Sequence, residues 1–333
     1  MPERLRIAQI GTKHGHAAGK WRALQSNPNV EAVGIWEPDG DARAAAQRSS
    51  HYPGARWLAS ADEALGDPTV VAAAIEGRNH ESLPMAESAL AAGKHLWFDK
   101  PAGDDWPAFQ VLMARASEQA RLVQMGYMFR YQPGFQQVAS WAKSGLLGDI
   151  FSVRAHMSTG VNVAERRAQS RHQGGIFYDL AGHMLDQVVW LLGRPERVAS
   201  FLRNDATPEL PTYTDNSLGV FEFRRALAFV DIAAMEPRPT ARRFEVYGTR
   251  GSAITEPFDP GQTVRLAIEH GTDASVAGEQ VMTLPMVNRQ QMYERELAAF
   301  VGTVRGERPP DRDAAHELLV QETLLRATGR LPA

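Results

Sequence analysis

The run Val70-Val71-Ala72-Ala73-Ala74-Ile75 has no polar side chain and no alternation. A strand buried on both faces reads this way, and sheets made of such strands are parallel and flanked by helices. Neighbouring segments repeat the theme. Leu5–Ile10 reads as a strand ending at Gly11, Ala17–Gln25 as a helix, Val30–Trp36 as a strand and Asp41–Ser49 as an Ala-rich helix. Leu83–Ala92 reads as a helix stopped by Gly93, a C′ glycine. His95–Phe98 and Leu122–Met125 read as strands, with the helix Trp106–Ala120 between them. Strands alternating with helices predict βαβ units and a mostly parallel sheet.

Beyond about residue 125 the pattern changes. Phe135–Ser144 and Ile176–Leu192 read as helices, and Ile150–Met157 as an alternating strand. Val198–Phe201, Ser217–Phe223, Leu227–Ala233, Phe244–Tyr247 and Val264–Ile268 are strand-like with no helices between them, which predicts an antiparallel sheet. Gln290–Thr303 and Asp313–Thr328 read as helices, and Thr207–Thr214 and Pro257–Gln262 as loops. The chain has 333 residues, about two domains at roughly 150 residues each. The expectation is an α/β protein with a parallel-sheet domain over 1–125 and an α+β domain with an antiparallel sheet over 126–333.

Composition removes several functions. A net charge of −3 offers no general attraction to nucleic acid or anionic membrane. The absence of cysteine excludes disulfides, thiolate catalysis and cysteine-type zinc. No apolar run reaches the roughly 20 residues that span a bilayer, and the first residues carry charges rather than a signal-peptide core. A cytoplasmic protein is the expectation.

Three motifs carry chemistry. Gly11 follows a strand and precedes a helix, where a dinucleotide's pyrophosphate rests on a helix N-terminus. Thr12, Lys13, His14 and Gly15 complete the turn, with Lys13 and His16 where a G-x-G-x-x-G fingerprint has its second and third glycines. A plain strand–helix turn is the competing reading. Glu37, just past the second strand, suits the ribose hydroxyls and would repel a 2′-phosphate, favouring NAD over NADP; alternatively it is a loop carboxylate. Asp99-Lys100-Pro101 ends a parallel strand, where ligands of open sheets bind, so Lys100 either polarises a substrate oxygen or is a loop lysine. Asp179 and His183 stand i and i+4 on one helix face behind Gly174-Gly175, with Asp186 on the same side. They suit proton transfer to a hydroxyl, with the carboxylates orienting the ring, or else a dipole-favoured acid and a core histidine. The stripe is short of ligands for a metal, and none is expected.

The order and spacing of these motifs resemble the Gfo/Idh/MocA family, the glucose–fructose oxidoreductase and inositol dehydrogenase group. Leu90–His95, Met128–Pro133, Gly145–Ile150 and Phe244–Gly251 resemble the family as well. The resemblance implies a Rossmann domain, an α/β domain with a large antiparallel sheet, and hydride transfer between nicotinamide and a sugar, cyclic polyol or related carbohydrate. It implies that Lys100 orients substrate and joins the proton relay, that His183 is the acid/base and that Asp179 anchors substrate. It places Asp99, Arg130, Pro133 and His80 beside the cofactor, and implies a homodimer or homotetramer. Tyr178, Asn162, Arg167, Arg171 and His172 flank the motif helix and are candidates for reading hydroxyls. This chain departs from the family in Asp99 for Glu, in Glu76-Gly77 for Thr-Pro, and in Lys13 and His14 within the glycine turn. Two further readings remain open: an enzyme that oxidises transiently, cleaves a glycoside and recycles NAD, and a sensing member without catalysis.

Overall fold

The protein, seen as a computed structural model, is described over residues 3–271 and 276–332. It divides into two compact units, one of Met1–Met128 with Arg289–Leu318, the other of Phe129–Asn288 with Leu319–Ala333.

In the first unit the chain alternates β1 (Leu5–Ile10), α1 (Ala17–Ser26), β2 (Val30–Trp36), α2 (Gly40–Arg48), the short α3 (Ala61–Leu65), β3 (Val70–Ile75), α4 (Ser82–Ala91), β4 (His95–Phe98), α5 (Trp106–Glu118) and β5 (Val123–Met125). The helices start where the sequence supplies caps. Asp39 accepts from the Asp41 and Ala42 amides, and Asp105 from Ala108 ahead of Pro107. The strands form one parallel sheet in the order β2-β1-β3-β4-β5. The order reverses between β1 and β3, so the carboxyl ends of these strands open the crevice where open α/β sheets take ligands. Ala72–Ile75 are fully buried, as the unbroken apolar run requires.

In the second unit come α6 (Pro133–Lys143), β6 (Ile150–His156), α7 (Val163–Gln169), α8 (Gly175–Leu192), β7 (Arg197–Arg203), β8 (Asn216–Phe223), β9 (Ala226–Ala233), β10 (Arg243–Gly248), β11 (Gly251–Thr255), β12 (Thr263–Ile268) and β13 (Gly278–Thr283). The eight strands lie in the order β13-β12-β11-β10-β6-β9-β8-β7, and only β6 and β9 run parallel. One face buries Val153, Ala155, Phe221, Ala228, Val230 and Val246, and α8 packs against β6, β8 and β9. On the other face Leu227 is exposed and the Arg154 guanidinium lies over the Phe229 and Tyr247 rings.

The chain then forms α9 (Arg289–Val304), which packs on α1, and α10 (Ala314–Ala327). Residues 289–318 therefore belong with the parallel sheet. Arg312 donates to the Met125 carbonyl (2.6 Å) and to Glu317 (2.8 Å), and Glu317 accepts the Met125 amide (3.2 Å), so an ion pair closes the edge at β5. The α/β architecture and the mostly antiparallel second sheet agree with the sequence reading. The strands β11 and β13 and the short helices α3 and α7 were not foreseen. Among the described residues no helix is long and apolar enough to cross a membrane.

Candidate active site

The turn after β1 is shaped by its neighbour β3. Gly11 has φ +90°, and a Cβ there would meet the Glu76 carbonyl carbon at 2.7 Å, so only glycine fits. Its amide donates to Trp36 O, and the His14 amide to Glu76 O. Glu37 is buried and braces this turn. Its Oε2 accepts the Thr12 amide (2.7 Å) and hydroxyl (2.8 Å), and its Oε1 the Asp39 amide (3.0 Å). Lys13 reaches away from the turn, donating to Glu81 (2.6 Å) and Asp39 (3.0 Å). His80, one residue from Glu81, is partly exposed, with Nε2 3.8 Å from that carboxylate.

A cavity of about 620 Å³ opens on the turn, lined by Thr12, Lys13, His14, Gly15 and Gly19, by Arg22 of α1, by α2 and by Arg289, Gln290 and Tyr293 of α9. Helix α1 has no side-chain cap and no acid in its first turn. A Cβ on Gly15 would meet nothing within 4 Å. An uncapped helix start facing open space suits an anion.

Beneath the turn lies a buried charge cluster that the sequence reading missed. Asp99, at the end of β4, accepts the Lys100 amide on Oδ1 (2.8 Å). Its Oδ2 stands 2.9 Å from His16 Nδ1, 3.2 Å from His14 Nδ1 and 3.2 Å from Lys20 Nζ. Glu76, at the end of β3, stands 3.1 Å from Lys20 and 3.6 Å from His14. Lys20 is fully buried and also lies 4.3 Å over the Trp97 ring. Burial opposes every charge here, but the arrangement settles which charges survive. His14, Lys20 and His16 outweigh burial at Asp99 and hold its carboxyl well below the usual range. Burial raises Glu76 against the pull of Lys20. At His14 the two carboxylates overcome burial and raise the imidazole to about 9. At His16 burial wins, helped by the charges of His14 and Lys100, and lowers it to about 4. Asp99 and Glu76 thus face Lys20 and His14, with a neutral His16 beside them. His14, His16 and Asp99 have ligand atoms within 4.8 Å of one another, but the Lys20 ammonium already serves the Asp99 oxygen such an ion would use. Two acids at neighbouring strand ends were the signal in the sequence that a buried cation must stand between them.

Lys100 itself is buried at the head of this network. In the second unit, the paired glycines Gly174 and Gly175 both have positive φ and start α8, which carries Asp179 and His183. His183 is buried, its ring edge-on to Phe129 at 5.1 Å. Asp179 is half-buried and accepts the Gln169 amide (3.1 Å), while Gln169 accepts the Tyr213 hydroxyl (2.6 Å). Tyr178 is buried and stacked on His172 at 4.6 Å. Asn162 caps α7, and Arg167 and Arg171 are exposed. Arg130 is held by Asp186 through Nε (3.1 Å) and Nη2 (2.5 Å), and its guanidinium lies 4.0 Å over Trp190. The carboxylate expected to orient His183 therefore anchors an arginine expected beside the cofactor. Pro133 begins α6 behind the Gln132 cap.

Residues 5–127 match the oxidoreductase family with an NAD-binding Rossmann fold, and residues 135–254 match the GFO/IDH/MocA C-terminal domain. The chain belongs to the GFO/IDH/MocA family. It is 28% identical over 254 residues to the uncharacterized oxidoreductase YhhX of Escherichia coli, covering 74% of this chain and 70% of YhhX. It is 30% identical over 192 residues to inositol 2-dehydrogenase of Cereibacter sphaeroides, covering 56% of this chain and 54% of that enzyme. The crystal structure of GenD2, from gentamicin A biosynthesis and in complex with NAD, superposes with a TM-score of 0.80 at 25% identity, covering 98% of this chain and 94% of GenD2.

Proposed function

We propose that this protein is an NAD-dependent dehydrogenase acting on a hydroxyl of a sugar, cyclic polyol or related carbohydrate. The observation that carries this reading is the uncapped start of α1, opening on the cavity and joined through His16 and Asp99 to Lys100. The donors present fit a dinucleotide. Thr12, His14 and Gly15 would hold its phosphates at the helix start. Glu37, a carboxylate against the turn, suits ribose hydroxyls and disfavours a 2′-phosphate. When bound, the nicotinamide supplies hydride acceptance or donation. The protein's own part is binding and proton transfer: Lys100 holds the substrate oxygen, His183 takes or returns the hydroxyl proton, and Asp179 anchors a neighbouring hydroxyl. The cytoplasm is the proposed compartment. The open sheet face, with exposed Phe201 and Leu227, is proposed to pair with other copies of the chain.

The test is titration of the purified protein with NADH and NADPH, followed by a polyol and sugar panel that includes myo-inositol, read at the NADH absorbance. Tighter binding of NADH, and turnover lost in Lys100→Ala and His183→Ala with NADH binding intact, would support the reading. Binding of neither dinucleotide would overturn it. Cleavage of a glycoside without accumulation of NADH would redirect it to transient oxidation.

A further inference from the structure

Among the residues proposed to hold the phosphates, His14 has the most specific setting. Its side chain is 91% buried, 9% being exposed. Both carboxylates near it, Asp99 at 3.2 Å and Glu76 at 3.6 Å, lie at Nδ1. Nε2 is therefore the ring nitrogen left for the cavity that His14 lines. The His16 amide also stands 3.2 Å from Nδ1. That atom either carries a proton for Asp99 or accepts this amide, and two facing carboxylates decide for the proton. In the charged ring that the two carboxylates favour, both nitrogens bear hydrogen, so Nε2 donates. The other basic side chains lining the cavity are Lys13, Arg22, His51 and Arg289, with no acid among them.

We propose that His14 is a charged ligand for a phosphate of the dinucleotide, its Nε2–H donating into the cavity while Asp99 and Glu76 hold its positive charge from behind. The proposal rests on the reading that this site takes a nicotinamide dinucleotide. A second ring nitrogen fixed by carboxylates makes the first a stronger, better-aimed donor. It also explains why a chain whose glycine turn carries bulky residues places two acids beneath it. With Lys20 and His14 facing them, the acids add no net repulsion to a phosphate, and His14 supplies a cation to the turn.

The charge on His14 makes binding depend on pH. The groups facing it are Asp99 from β4, Glu76 from β3, Lys20 from α1 between them, and His16, whose ring stands edge-on at 4.6 Å and itself meets Tyr293 of α9. With the imidazole raised to about 9, the cation is present at neutral pH and lost as pH rises through that value. Lys13 keeps its charge over this range, because Glu81 and Asp39 overcome its partial burial and raise it further.

The experiment follows the histidine nitrogens by NMR in the ¹⁵N-histidine-labelled full chain from pH 6 to 10. In parallel, NADH affinity is measured by fluorescence from pH 7 to 10. The expected result is a charged His14 at pH 7.5, and an NADH affinity that falls about tenfold as that charge is lost, the worth of one charge-assisted hydrogen bond. His14→Gln should bind NADH about tenfold more weakly at pH 7.5 and show no step. Glu76→Gln leaves the cavity lining intact and should move both the His14 titration and the affinity step to lower pH. A neutral His14 at pH 7.5, or wild-type NADH affinity constant from pH 7 to 10, would overturn this proposal alone. No NADH binding at any pH, with His14 charged and the protein folded, would overturn it together with the dinucleotide reading.

Discussion

Lys20 of the first unit and Arg130 of the second are both buried against carboxylates, and the two solutions differ. In the second unit Arg130 and Asp186 form one fork-to-fork pair capped by Trp190, with Gln187 donating to the same carboxylate. In the first unit Lys20 is a single point charge shared between Glu76 and Asp99, and His14 is needed to complete the balance. A bidentate pair fixes two elements and is indifferent to pH over the working range. A shared ammonium with a histidine counter-ion leaves a network whose charge can change. The first solution suits scaffolding and the second suits a site. The contrast is most directly broken by removing each cation in turn. Lys20→Met strands two buried carboxylates, so it should cost more than Arg130→Met, which strands one. The loss for breaking a buried pair is about 3–5 kcal/mol, and urea melts of the two variants should rank Lys20→Met at or above that range and Arg130→Met within it. Glu76→Gln combined with Lys20→Met should recover part of the loss. An equal cost for both single variants would mean that Glu76 is already protonated, and the charge balance drawn above would fail.

Alkaline pH acts on the buried charges of the first unit. Glu296 of α9 is buried, its Oε2 accepting the Trp97 indole N–H (3.1 Å), and burial raises its carboxyl to about 8. For an acid raised on folding, the native state holds a proton that the unfolded chain gives up above its ordinary value of 4.5, so stability falls as pH climbs from there to about 8. His14 has the same sign: its contribution is complete below 6.5, the imidazole's ordinary value, and is lost as pH rises to about 9. The first unit should therefore weaken between neutral pH and pH 9. Glu296→Gln mimics the protonated acid. It should leave stability nearly unchanged at pH 5 and raise it at pH 9 relative to the wild type, measured by denaturant midpoint. A variant less stable than wild type at pH 9 would show that Glu296 is ionised in the native protein.

What the sequence made legible follows from local physics. Val70–Ile75 announced a doubly covered strand because burial on both faces leaves no place for a polar residue. The Gly11 turn and the Gly174-Gly175 start of α8 were visible because glycine is demanded there. Strand β11, by contrast, is Gly-Ser-Ala-Ile-Thr, whose first three residues are weak strand formers. It exists because Gly248 and Gly251 pair across a tight hairpin with β10. Strand β13 is mostly exposed and so carries no alternation. Lys20 was invisible for another reason. Within Ala-Ala-Gly-Lys-Trp it reads as a solvated helix residue, and only partners at the ends of β3 and β4 make it a core residue. Asp186 was rightly placed on the His183 stripe, but its guanidinium partner comes from the turn before α6, which no helical spacing could reveal. Local pattern fixes elements; long-range pairing decides what charged residues do.

The smallest expected effect lies beside Asp179, where the second unit does hold a relay of its own. Tyr213 donates to Gln169, whose amide donates to Asp179. These are neutral or singly charged hydrogen bonds at a half-buried carboxylate, each worth about 0.5–1.5 kcal/mol. Tyr213→Phe and Gln169→Leu should each lower stability by about that amount. Because they act in series on one acceptor, the double variant should lose less than the sum. On whichever polyol the panel identifies, both should raise KM more than they lower kcat, since they orient the carboxylate proposed to hold substrate rather than the group proposed to move the proton. Strict additivity in the stability cycle would mean the two bonds are independent. Asp179 would then be positioned by α8 alone, and the second unit would contain no network comparable to the one beneath the glycine turn.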